Sequence, residues 1–151
     1  MFNPIANTDA SLTVKHTFAA TRKRVFRAWT EPQAWEQWFR PMGMTLVVDE
    51  LELRVGSGFH FTLTEPDGAQ SFVSGTYREI IVPEKLVFTW ISPTTNEEET
   101  LVTITFAERG ADSTEITLQH ERLADAAMVT LFSGGWASCI DILSTLLARN
   151  N

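Results

Sequence analysis

Hydrophobic and polar side chains alternate along most of the chain, which is typical of strands in a sheet covered on one face. The alternation or a short apolar run recurs over residues 11–18, 50–55, 59–64, 70–81, 86–91, 102–106 and 115–120. Turn sequences separate these segments, with Pro-Asp-Gly at residues 66–68 as the clearest case. Short connections favour antiparallel neighbours, so the pattern predicts a six- to seven-stranded antiparallel sheet with one apolar face.

The period of the pattern changes after Leu123, where apolar residues recur at helical spacing. This stripe consists of Phe132, Trp136, Ile140, Leu143 and Leu147. It predicts one long helix over about residues 125–148. The pair Gly134-Gly135 lies inside it, at a cost of roughly 1 kcal/mol per Gly relative to Ala. The pair is compatible with a close approach of the helix to the sheet or with room for a ligand. It is equally compatible with a kink or a break in the helix.

Two short helices are predicted over residues 22–38, directly after the first strand. Thr21 is a suitable N-cap for the first of them. Pro32 suits the first turn of the second, because its missing N–H is not needed there.

These elements predict an α+β fold in which a curved antiparallel sheet wraps around the long C-terminal helix. The helix must bury its apolar stripe, and the apolar face of the sheet is the only large partner available. The chain has 151 residues and no linker or repeat. We therefore expect a single domain over residues 1–151, with residues 1–10 as a loose N-terminal arm.

The charge balance makes nucleic acid a poor partner. Lys plus Arg number 12 and Asp plus Glu number 19, so the net charge is 12 − 19 = −7. An acidic domain repels phosphate backbones. The basic run at residues 22–24 is interpreted as a solvated helix face or as a docking patch for an acidic partner.

Three features that the sequence lacks bear on its redox chemistry and on its expected location: a second cysteine, a signal peptide and a long apolar stretch. Cys139 is the single cysteine, so an internal disulfide and a cysteine-rich zinc site are excluded. The N-terminus lacks the basic and apolar regions of a signal peptide. No apolar stretch reaches the about 18 residues needed to span a membrane. We expect a cytoplasmic protein without a membrane span.

His120 is the main candidate for site chemistry, because it shares the inward phase of Ile116 and Leu118. It could orient a ligand, act as a general base, or be a hydrogen-bonded structural residue. The three histidines lie on separate strands without metal-ligand spacing, and no nucleotide-binding or nucleophile motif is present. We expect no metal and no cofactor, and non-enzymatic function is favoured.

The apolar face of the sheet and the stripe of the long helix together predict a ligand pocket. Its predicted lining residues are Trp38, Phe61, Leu63, Trp90, Ile104, Phe106, Leu118, His120, Phe132, Trp136 and Ile140.

Several motifs in order resemble the SRPBCC superfamily, also called START-like or birch-pollen-allergen-like. Residues 21–32 (TRKRVFRAWTEP) and 35–39 (WEQWF) resemble its opening. Residues 52–59 (ELRVGSGF), 75–80 (GTYREI) and 83–90 (PEKLVFTW) are similar to the branch of heat shock protein 90 ATPase activator homologues, with Ser57 in place of a usual Gly. Residues 118–121 (LQHE) and 135–136 (GW) resemble the last strand and C-terminal helix of that branch.

The resemblance covers about residues 12–148 and implies the helix-grip fold, in the form of the C-terminal-type domain of the activator homologues. It leaves three functions open, since the superfamily hosts many. The first is binding of a small hydrophobic or amphipathic ligand between sheet and helix. The second is a chaperone-cofactor-like interaction module, with a chaperone or another protein as partner. The third is a cyclase- or aromatase-type enzyme. A monomer or a homodimer is expected.

Overall fold

The fold is a seven-stranded antiparallel sheet with one long helix and two short ones. The computed structural model describes residues 10–149. The strands are β1 (Ala10–Phe18), β2 (Thr45–Leu51), β3 (Gly58–Thr64), β4 (Gln70–Ile81), β5 (Lys85–Trp90), β6 (Thr100–Gly110) and β7 (Ser113–Leu123). The helices are α1 (Arg22–Ala28), α2 (Pro32–Trp38) and α3 (Ala126–Arg149). Two 3-10 turns, Pro41–Gly43 and Pro93–Thr95, complete the set.

The strands lie in the order β1-β7-β6-β5-β4-β3-β2, and every neighbouring pair is antiparallel. The first and last strands are therefore adjacent, and β1 and β2 form the two edges. Four strand pairs carry bulge-type register shifts, which bend strands and increase their twist. This confirms the predicted antiparallel helix-grip fold. The predicted N-terminal arm lies outside the described residues, apart from Ala10, which begins β1.

The two short helices form where they were predicted, and buried indoles join them. The Thr21 side chain accepts a hydrogen bond from the Arg24 backbone N–H and caps α1. The Trp38 indole N–H donates to the Ala28 carbonyl oxygen at 2.8 Å. The Trp35 indole N–H donates to the Trp29 carbonyl oxygen at 3.0 Å. These bonds hold α2 against the end of α1, so the two helices pack together over part of the sheet.

The long helix α3 is continuous over 24 residues, and the Gly134-Gly135 pair does not break it. The Asp125 side chain caps its start by accepting a 2.9 Å hydrogen bond from the Met128 backbone N–H. By length and composition α3 could cross a membrane, a test that the core helix of a soluble protein also passes. Its stripe is buried inside the protein from Trp136 to Leu147, in keeping with a core helix.

The predicted strand over residues 50–55 is wrong beyond Leu51. β2 ends there, residues 52–57 form a turn, and Leu53 and Val55 are exposed. The alternating pattern gave a wrong strand boundary because a turn can also alternate apolar and charged residues by chance. After this turn, two positions require glycine because a neighbouring backbone oxygen lies too close for a side chain. A Cβ atom on Gly58 would collide with the Gly75 carbonyl oxygen, and one on Gly75 would collide with that of Thr89.

Candidate ligand pocket

A partly open cavity of about 510 Å³ lies beside the first half of α3. Strands β3 and β4, the first 3-10 turn and the chain after β5 form its other walls. The lining comprises Phe39, Pro41, Met42, Met44, Leu63, Ser71, Val73, Trp90, Ser92, Pro93, Thr94, Thr130, Leu131, Phe132, Gly134, Gly135, Trp136 and Ser138. Most of these residues are apolar, and none carries a charge.

Three aromatic rings in mutual contact form the inner wall of the cavity. The ring centroids of Trp90 and Trp136 are 5.2 Å apart. Phe39 lies 5.4 Å from Trp90 and 5.5 Å from Trp136. All three side chains are almost completely buried. These are tilted and edge-on arrangements, which aromatic pairs favour, and the wall is formed without a ligand.

On the side formed by α3, small side chains leave space for the cavity. Thr130, Gly134 and Ser138 follow one another at intervals of four residues, so they share one face of α3. A Cβ atom built on Gly134 or Gly135 would meet no other heavy atom within 4 Å. Of the interpretations open from the sequence, neither a break in the helix nor a close approach to the sheet is present. The glycines leave open space.

The predicted lining residues divide into two groups. Leu63, Trp90, Phe132 and Trp136 line the cavity. The other seven do not line it and are buried in the packed core: Trp38, Phe61, Ile104, Phe106, Leu118, His120 and Ile140.

The second group is buried because the short helices cover more of the sheet than their length suggested. Helix α1 packs against β6 and β7, and its Phe26 ring lies 5.1 Å from the Phe106 ring. Helix α2 places Trp35 5.2 Å from Phe61. The side chains beneath α1 and α2 therefore belong to the packed core, and the cavity described above lies beneath the first half of α3.

Many of the lining residues that the sequence did not reveal come from turns, and most of the others lie on α3. Pro41, Met42 and Met44 belong to the first 3-10 turn or follow it, and Pro93 and Thr94 belong to the second. Met42 is exposed and has a left-handed backbone with φ of 55°. Periodicity does not show which way a loop residue points. The one signal in the sequence was Met42 itself, an apolar residue between Pro41 and Gly43 in a turn.

His120 forms a closed hydrogen-bond chain behind the aromatic wall. The Trp136 indole N–H donates to His120 Nδ1 at 3.1 Å. An indole can only donate, so the proton of His120 is on Nε2, which donates to Thr100 Oγ1 at 2.8 Å. Thr100 in turn donates to the Trp90 carbonyl oxygen at 2.6 Å. Both ring nitrogens are occupied, which is the arrangement of a structural histidine.

Burial lowers the pKa of His120 from its ordinary value of 6.5 to about 3. Between these values the unfolded chain binds a proton that the folded protein does not. We therefore expect the free energy of unfolding to fall as the pH drops below about 6.5, with a His120 contribution approaching about 1.4 kcal/mol per pH unit. Urea denaturation from pH 4 to 7 measures this slope. In His120→Gln the slope should be shallower, and equal slopes in both proteins would contradict the assignment.

Other reactive side chains do not extend the site. Burial raises the pKa of the Cys139 thiol to about 12, so the thiol stays protonated and unreactive at neutral pH. Asp49 accepts a 2.6 Å hydrogen bond from Thr62 and lies 3.0 Å from His60 Nδ1 in an exposed cluster. Within residues 10–149, no group of three or more His, Cys, Asp or Glu side chains comes together as a metal site.

Solved structures share this architecture. A protein from Chromobacterium violaceum superposes with a TM-score of 0.83 at 23% identity, over 91% of this chain and 96% of that chain. The AHSA1 protein from Silicibacter pomeroyi gives a TM-score of 0.81 at 22% identity, over 94% and 100%. A protein from Arthrobacter aurescens gives 0.81 at 18% identity, over 99% and 90%. These similarities establish the fold.

The family was identified by a separate comparison. No curated protein matched the sequence. Residues 19–148, however, match the family model described as activator of Hsp90 ATPase homolog 1-like protein, which agrees with the resemblance in the motifs. The match begins directly after β1, at residue 19, and extends almost to the end of α3, so it includes every wall of the cavity. The chain therefore belongs to the family of activator of Hsp90 ATPase homolog 1-like proteins.

Proposed function

We propose that the protein binds a small apolar or amphipathic molecule in the cavity between the sheet and α3. The observation that carries this proposal is the cavity itself, with a volume of about 510 Å³ and a mainly apolar, uncharged lining. Sites for small molecules in proteins are typically clefts of about 300–1,000 Å³ with mostly hydrophobic walls and a few polar groups.

The energetics of such a site favour binding. Apolar ligand surface removed from water contributes roughly 25 cal/mol per Å². The rings of Phe39, Trp90 and Trp136 are already packed against one another, so little side-chain ordering opposes binding.

Binding is better supported than cyclase- or aromatase-type catalysis. His120 was the candidate acid–base residue, but it lies behind the cavity wall and is completely buried. Its one ring lone pair accepts the Trp136 N–H, and its pKa is far below neutrality. A general base needs a free lone pair within reach of the substrate proton.

A protein-interaction role is the second candidate, and a different surface favours it. Val47 and Phe72 are half exposed and occupy one row of the outer sheet face, on either side of Thr62. Val47 belongs to the edge strand β2. An exposed apolar row that includes an edge strand is suited to contact with another protein. The family description, which refers to activation of a chaperone ATPase, is consistent with this second role.

A titration with the neutral dye N-phenyl-1-naphthylamine tests the proposed function. We expect saturable binding with a rise in dye emission, because the dye leaves water for an apolar site. Protein emission should change in the same titration, since Trp90 and Trp136 line the cavity. Native mass spectrometry of the purified protein would show any molecule retained from the cell. A protein that leaves the dye emission unchanged and carries no bound molecule would contradict the proposal.

A further inference from the structure

The polar side chains that line the cavity within residues 10–149 are uncharged. They are the hydroxyls of Ser71, Ser92, Thr94, Thr130 and Ser138. In the part of the chain that the structure describes, no Asp, Glu, Lys, Arg or His lines the cavity. Arg40, which precedes the lining residue Pro41, donates a hydrogen bond to the Glu36 carbonyl oxygen on α2. A ligand inside the cavity would therefore meet hydroxyl groups and apolar surface, without a counter-ion among the lining residues.

This lining discriminates between charged and neutral ligands. An ionised carboxylate or ammonium group that leaves water requires a partner of opposite charge to offset its lost hydration. A hydroxyl, ketone or ester group loses much less hydration and needs only one or two hydrogen bonds. The net charge of −7 adds a further repulsion against anions.

Ser92 is the lining hydroxyl that most clearly requires a ligand group. The residue is almost completely buried, and its side chain faces the Thr95 backbone N–H as the cap of the second 3-10 turn. Among residues 10–149, however, nothing accepts a hydrogen bond from its hydroxyl. Its backbone is held in place, because its N–H donates to Thr95 Oγ1 at 3.1 Å and its carbonyl oxygen accepts from the Thr95 N–H at 3.0 Å. Buried hydroxyls nearly always have a partner, so an unpaired donor in a cavity wall points to an acceptor on the occupant.

We propose that the cavity selects an uncharged amphipathic molecule whose hydrogen-bond acceptor binds the Ser92 hydroxyl. The apolar part of that molecule lies against the aromatic wall formed by Phe39, Trp90 and Trp136. The inference rests on the proposed function and names the chemical class of its ligand. It predicts that fatty acids and alkylamines are poor ligands, while ketones, esters and alcohols of the same length are good ones.

A set of ten-carbon molecules that differ in one group tests the selectivity. 2-Decanone, 1-decanol, decanoate and decylamine would each displace N-phenyl-1-naphthylamine from the wild-type protein at pH 7.5. We expect the ketone and the alcohol to bind at least about tenfold more tightly than the two ions. Equal affinities within about twofold, with the dye still bound, would overturn the inference but leave the proposed function intact. Absence of dye binding would instead contradict the proposed function.

Ser92→Ala tests the role of the hydroxyl. We expect about a tenfold loss of 2-decanone affinity, a typical effect of one buried hydrogen bond, with unchanged affinity for the dye. The variant should stay folded, because the hydroxyl has no acceptor to lose and only its capping of the second 3-10 turn is removed. Ser138→Ala removes another lining hydroxyl, on an exposed residue of α3, and serves as the matched control with an effect of less than about twofold. Unchanged ketone affinity in Ser92→Ala, or an equal loss for dye and ketone, would contradict the assigned hydrogen bond.

Discussion

Replacing Trp136 with Ala is expected to lower the free energy of unfolding by about 3–5 kcal/mol, the range for large aromatic truncations in a core. Trp136 is only 1% exposed although it also lines the cavity. Its ring contacts those of Phe39 and Trp90 and lies 6.0 Å from that of Trp29. Its loss would also leave the buried Nδ1 of His120 without a donor. Chemical denaturation of both proteins measures the difference.

Two further variants separate the causes of this effect. Trp136→Phe keeps an aromatic ring but removes the donor to His120, so we expect an intermediate loss. Leu131→Ala removes a side chain that lines the cavity but is 48% exposed, and it should cost about 1 kcal/mol or less. If Trp136→Ala came within about 1 kcal/mol of the wild type, the side chain would not be the packed wall that the structure describes.

The regular elements were predictable because each has a period that the sequence displays. The stripe from Phe132 to Leu147 requires a helix, and α3 covers residues 126–149. The Thr21 cap and Pro32 located the short helices correctly. The failure was local, at residues 52–55, where alternation continued into a turn. A pattern over four residues cannot distinguish a strand from a turn whose apolar side chains stay in water.

The site was harder to predict than the fold, for a physical reason. Strand phase shows which side chains face inward, but it does not show what covers them. Ile104 and Phe106 face inward as predicted, yet they are buried in the core and do not line the cavity beside α3. Met42 and Thr94 line the cavity from turns that have no period. The orientation of turn residues depends on tertiary packing, which a single sequence does not display.

Gly135→Leu is expected to block the cavity without weakening the fold. Gly135 lines the cavity, and a Cβ atom there meets no heavy atom within 4 Å, so a larger side chain has room to enter the ligand space. On the same face, Phe132 lies three residues before it and the buried Cys139 four residues after it. Replacing Gly in a helix by Leu should raise the free energy of unfolding by up to about 1 kcal/mol. We expect dye affinity to fall at least about tenfold, because the leucine occupies volume that the ligand needs.

Ala137→Leu is the matched control, since residue 137 is an exposed position of α3 outside the lining. It adds the same side chain to the same helix and should leave dye affinity within about twofold of the wild type. The decisive measurement is therefore N-phenyl-1-naphthylamine titration of the wild type, Gly135→Leu and Ala137→Leu, with the stability of each determined in parallel. If the cavity is the binding site, only Gly135→Leu loses affinity while it remains at least as stable as the wild type. Equal dye affinity in all three proteins would show that the cavity beside α3 is not where the ligand binds.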